Sequence, residues 1–158
     1  MEKIAQYFAI EGYVTDVRPL GNGLINDTYL VSASEGKRYV LQRINHAIFK
    51  DVDLLQRNIA YVTAHIRAKL TAAGEIDIDR KVLRFIPLKD SESTYYTDGK
   101  SYWRMSAFIE DSVTVETVTP ESSYCAGKAF GEFQAMLVDI TEQIGETIPD
   151  FHNMELRA

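Results

Sequence analysis

The spacing of apolar residues along the chain changes twice. Ile4, Tyr7 and Phe8 fall at helical spacing and predict a short N-terminal helix, closed by Gly12. "YVTDVRPL" (13–20), "DTYLVSA" (27–33) and "RYVLQRI" (38–44) are rich in β-branched and aromatic residues and read as strands. Short links with glycine, "SEGK" (34–37) among them, join these strands into an antiparallel meander. From Asp51 to Leu70 the pattern turns helical, with Leu55, Ile59, Val62, Ile66 and Leu70 on one face and "AAG" (72–74) as the stop. "KVLRFIPL" (81–88) reads as another strand. "STYYTDGKSYWRMSAFI" (93–109) reads as a hairpin about Asp98-Gly99. A last helix starts at Pro120 with Thr119 as its cap, and Phe130, Phe133, Leu137 and Ile140 share a face. Gly127 and Gly131, four apart on that helix, allow another backbone to come close. The expected class is α+β, with a boundary near residue 110 where strands give way to helix. The tail stops at "ELRA", a helix-forming stretch, as though within an element.

Composition narrows the function classes. The 158 residues are 46% hydrophobic and 11% aromatic, which suits one ordinary core, or one domain and part of another. The net charge of −6 argues against a grip on nucleic acid or an anionic membrane, both of which need a basic face. The N-terminus, "MEKIAQYFAI", lacks the layout of a signal peptide, and no apolar run approaches the length of a membrane span. Cys125 stands alone, so an internal disulfide or a cysteine-based zinc cluster is excluded. A soluble, cytoplasmic protein is expected.

The stretch "PLGNGLINDTYLV" (19–31) poses the main chemical question. Gly21-Asn22-Gly23 is either a plain hairpin turn or a loop whose backbone N–H groups approach a phosphate. Neither Gly-x-x-x-x-Gly-Lys nor Gly-x-Gly-x-x-Gly is present. "DVD" (51–53) and "DID" (77–79) have a spacing that can bind magnesium, but helix capping and solvation account for both. No metal ligand is assigned. His46, His65 and His152 form no catalytic pattern, and Cys125, with no base near it in sequence, is expected to be a small buried thiol.

A long helix inserted after the third strand of an antiparallel sheet is the plan of a kinase small lobe. "GLINDTYLV", "YVLQRIN", "NIAYVTAHI", "YWRMSAFIEDSVT" and "IPDFHNM", in that order, resemble the aminoglycoside phosphotransferase and choline kinase superfamily. Within it they most resemble the N-acetylhexosamine 1-kinases, some of whose relatives carry the label mucin desulfatase. The resemblance implies a five-stranded small lobe over residues 1–109. Residues 110–158 would then be the hinge and the first helices of a truncated helical lobe, in a parent chain roughly twice as long. It implies ATP and Mg2+ as cofactors and a small hydroxyl compound, most of all an amino sugar, as acceptor. Gly21, Asn22, Gly23, Asn26 and Thr28 would cover the phosphates. Gln42 stands where kinases place the third-strand lysine, and Asn58 where its helix glutamate is expected. Either a neutral Gln42–Asn58 hydrogen bond replaces that ion pair, or Arg43, on the other sheet face, serves after a register shift. Adenine would meet backbone at Ser106 and Phe108 with Met105 near its ring, and Val40, Leu30 and Ile109 would sandwich it. His152 would lie near the acceptor.

No histidine begins the family's catalytic loop, His-x-Asp-x-x-x-x-Asn, and its later metal-binding aspartate is absent too. The expected function is therefore the nucleotide-binding part of a sugar kinase, inactive by itself, with self-association through the exposed surface of the last helix. Other acceptors remain open, such as choline, homoserine or an aminoglycoside, and so does a non-catalytic α+β interaction module. A sulfatase would need a Cys/Ser-x-Pro-x-Arg motif, which the chain does not contain.

Overall fold

The computed structural model describes residues 1–21, 25–113, 115 and 117–157, with only the backbone of Arg157. The fold is α+β. After a short helix α1 (Glu2–Ala5), strands β1 (Val14–Pro19), β2 (Asp27–Ala33) and β3 (Arg38–Ile44) form the meander that the alternation predicts. The long helix α2 (Val52–Ala72) and a single turn of helix, α3 (Ile78–Lys81), come next. Then follow β4 (Tyr95–Thr97), β5 (Tyr102–Ala107), α4 (Pro120–Leu137) and α5 (Met154–Arg157). All five strands join one antiparallel sheet in the order β1-β2-β3-β5-β4. No helix among the described residues is long and apolar enough to cross a membrane.

Pleating sorts the sheet into two faces. Val31, Tyr39, Leu41, Trp103 and Met105 point one way and form the main core with Ala5, Phe8 and Ile86. Thr28, Gln42 and Arg104, opposite one another on β2, β3 and β5, point the other way.

Several elements depart from the sequence pattern. α1 ends at Ala5, well before Gly12, because only its single turn carries helical hydrogen bonds before the chain passes into turns. "KVLRFIPL" is no strand. Its first residue closes α3, and Pro87 has no N–H to give a ladder. The segment instead adds isolated bridges, Phe85 with Ser106 and Phe8 with Leu88. Ile86 N–H donates to the Met105 carbonyl at 2.9 Å, so residues 84–86 continue the β5 edge that β4 covers only from Tyr102 to Arg104. The last helix begins as expected: the Thr119 hydroxyl accepts from Ser122 N–H, and the Ser122 hydroxyl reciprocates at Thr119 N–H. Cys125 is exposed on it rather than buried, since α4 has no buried residue. A Cβ built on Gly127 or Gly131 would meet nothing within 4 Å, so among the described residues no other backbone comes close there.

The chain divides into two compact units. The sheet unit comprises Met1–Asn58, Arg84–Phe108 and Ile144–Ala158; the helical unit comprises Ile59–Leu83 and Ile109–Gln143. Within the helical unit, His65 Nε2 and Lys69 Nζ on α2 lie 3.1 and 3.0 Å from the Met136 carbonyl near the end of α4. Both also engage Asp139. The Lys69 ammonium there suits the unsatisfied carbonyls of a helix C-terminus.

Candidate functional site

The polar residues that interrupt the sheet are joined, and they lie on the face away from the main core. Gln42 Nε2 donates to Thr28 Oγ1 at 3.2 Å, and Gln42 Oε1 accepts from Arg104 Nε at 3.1 Å. Arg104 Nη1 reaches Gln56 Oε1 on α2 at 3.4 Å. Gln56 is buried and donates to the Thr94 hydroxyl and carbonyl at 3.0 and 3.2 Å. The Phe85 ring lies beneath the guanidinium, its centroid 5.5 Å from Arg104 Cζ. A row of neutral groups across β2, β3 and the helix thus holds one cation. Burial lowers the Arg104 pKa from its ordinary value, with no carboxylate contributing; a guanidinium stays charged near neutrality even so.

One residue row further along, Leu30, Val40 and Ser106 lie opposite one another on the same face. Leu30 and Ser106 are buried and Val40 half-buried. Gly21 follows β1 with φ +67°, and a Cβ there would meet no neighbour within 4 Å among the described residues. Asn22 and Gly23 lie outside the described residues. Asn26 Oδ1 accepts from Asn45 N–H at 2.9 Å, tying the start of β2 to the end of β3.

The remaining candidates are placed elsewhere. Gln42 and Asn58 make no bond to each other. Asn58 Nδ2 donates to the Gly145 carbonyl at 2.6 Å, and its Oδ1 accepts from Gly145 N–H at 3.1 Å. Gln56, two residues earlier and so more than half a turn round the helix from Asn58, is the α2 residue that reaches Arg104. Arg43 projects from the opposite face, where Nε donates to Asp27 Oδ2 at 2.7 Å with both side chains about half exposed. A polar hollow of about 240 Å³ opens beside that pair, lined by Asn45, His46 and Lys100 among others. Met105 is fully buried in the main core, on the face away from Gln42. Phe108 N–H donates to the Arg38 carbonyl at 3.1 Å, and the Arg38 guanidinium lies over the Phe108 ring. Ser106 is paired on both sides, with Val40 and with Phe85. The two backbone positions expected to meet adenine are therefore engaged within the sheet. Ile109 belongs to the helical unit. His152 is exposed, its ring edge-on to Phe151.

Three of the four aspartates in the two acidic pairs are engaged, and Asp77 caps nothing with its side chain. Asp51 Oδ1 caps α2 at Leu54 N–H, Asp53 accepts from the Tyr95 hydroxyl, and Asp79 pairs with Arg67 at 2.8 Å. Among the described residues no cluster of three His, Cys, Asp or Glu could hold a metal ion.

Arg104 and Gln56 were absent from the sequence-based candidates. The signal for Arg104 is its place between Trp103 and Met105. Both are core residues, so strand alternation turns Arg104 to the face of Gln42. No family model matches this chain.

Proposed function

We propose that the sheet unit is the nucleotide-covering small lobe of an ATP-dependent small-molecule kinase, related to the aminoglycoside phosphotransferases and choline kinases, with an N-acetylhexosamine as acceptor. One observation carries this reading: in a single five-stranded antiparallel sheet, the long helix follows the third strand and meets it through a polar network on the face away from the main core. In kinases the third strand and this helix together set the group that holds the nucleotide phosphates. The half-buried Val40, opposite the buried Leu30, supplies apolar surface for a base beside that network. The exposed Tyr124, Phe130 and Phe133 on α4 suit a helix that packs into a larger helical lobe.

In-line phosphoryl transfer requires a base for the acceptor hydroxyl and metal ligands for the phosphates. The sequence has no His-x-Asp-x-x-x-x-Asn, and Asp51, Asp53 and Asp79 are engaged, so in this reading these residues bind and orient nucleotide without transferring phosphate. Calorimetry with ATP is expected to show binding. Incubation with ATP, magnesium and N-acetylglucosamine is expected to yield no sugar phosphate. Absence of ATP binding at millimolar concentration would overturn the nucleotide reading, and turnover by this chain would overturn the division of labour. The acceptor is tested separately, by reading the gene beyond Ala158 for the catalytic loop and assaying that longer product on a sugar panel. A stop codon at that point would favour a non-catalytic module.

A further inference from the structure

We propose that Arg104 of β5 is the cation that holds the nucleotide phosphates, taking over from the third-strand position where Gln42 stands. The inference rests on the nucleotide reading above, and it assigns to that site a residue that the family pattern does not indicate.

Three observations converge on Arg104. The first is position. Gln42 and Arg104 are directly opposite on neighbouring strands, so the guanidinium reaches the same side of the sheet as the residue it would replace. The second is charge. Arg43, Arg67, Lys37, Lys69 and Lys81 are each paired with a carboxylate. Arg104 is half-buried, and its hydrogen-bond partners among the described residues are two amide oxygens. A desolvated cation held by neutral groups lacks the counter-charge that normally offsets its burial. An anionic ligand would supply it.

The third observation is orientation. Nε and Nη1 each give one N–H to an amide oxygen, which fixes the plane of the group. Nη2 makes no hydrogen bond among the described residues, so part of the five-donor fork is left for an acceptor such as a phosphate oxygen. Arginine matches phosphate geometry through two N–H groups where lysine offers a point charge. The Gln42 and Gln56 amides therefore position Arg104 in the way that a helix carboxylate positions the usual lysine, but without neutralising it.

The test compares ATP, adenosine and inorganic tripolyphosphate binding by calorimetry for the wild-type chain, Arg104→Gln, Arg104→Lys and Arg43→Ala. Arg104→Gln is expected to weaken ATP and tripolyphosphate by about ten- to a hundredfold, the range for a charged hydrogen bond, while adenosine affinity holds. Arg104→Lys is expected to recover part of the loss. Equal ATP affinity in wild type and Arg104→Gln would make Arg104 a structural pin between β5 and α2 and overturn the proposal. So would loss of the ATP-over-adenosine preference in Arg43→Ala alone. If the wild type bound tripolyphosphate through Arg104 but gained nothing from the adenosine moiety, the anion assignment would stand and the nucleotide reading would fall. Failure to bind either phosphate compound would overturn both. Should Arg104→Gln not fold, the Arg104 Nε–H resonance of the wild type gives a direct reading. It is expected to shift on adding tripolyphosphate, and a fixed resonance would sink the assignment.

Discussion

Tyr95 donates its hydroxyl to Asp53 at 2.7 Å. That hydrogen bond first, then burial and the Asp53 charge, push its pKa up to about 12 from the ordinary 10.0. The folded state thus favours the protonated phenol. Its contribution to stability is whole below pH 10.0 and is lost as pH rises towards about 12. Absorbance titration should show a late step to which Tyr95 contributes beside Tyr96, itself raised by its hydrogen bond with Tyr7, and Tyr95→Phe should shrink that step by one tyrosine. Thermal stability should also fall less steeply in Tyr95→Phe than in wild type across the same window. If the two slopes were equal, the Tyr95–Asp53 bond would not be maintained in solution. Asn58 acts at the same scale through two bonds to the Gly145 backbone in a buried position. Asn58→Ala leaves that carbonyl and N–H without their partner and should cost about 1–3 kcal/mol in urea unfolding. A change within error would mean that water replaces the amide. At this scale the sequence was least legible. Gln42 and Asn58 looked like a pair, yet each found another partner, because helix rotation and strand register are settled by packing across the whole sheet.

Among the elements, the meander, the long helix and the Asp98-Gly99 hairpin were readable, since each has a strong local period and turn residues of its own. The stretch 81–88 was not, because its apolar run fits a strand but its pairing is decided by how much of the β5 edge β4 leaves open. α4 shows the opposite case. Its start was legible in Thr119 and Pro120, while the reciprocal bond from Ser122 was not, and Phe130 and Phe133 on its apolar face are exposed. Most helical stability in proteins comes from packing an apolar face, and α4 buries no residue. Amide exchange in α4 is therefore expected to run at least about a hundredfold faster than in β3. Thr119→Ala should speed the first turns by a further factor of about five. Protection of α4 equal to that of β3 would show that its exposed face is covered in solution, by self-association above all.

The molecule as a whole has its large buried cluster in the sheet unit, whereas the helical unit buries only Ile66 and Val82 below the surface among the described residues. That division cuts through α2, an element that the sequence presents as one uninterrupted amphipathic face. The sequence by itself determined the α+β class, the strand order in the chain and the helix between the third and fourth strands, because period, caps and turns are local properties. It also shows that His-x-Asp-x-x-x-x-Asn does not occur in these residues, since that is a matter of which residues are present. Only the tertiary structure decided that β5 lies between β3 and β4 and so brings Arg104 beside Gln42. Strand order in a sheet depends on contacts between residues far apart in the chain. Burial of a charge between neutral partners likewise exists only once those distant segments have met.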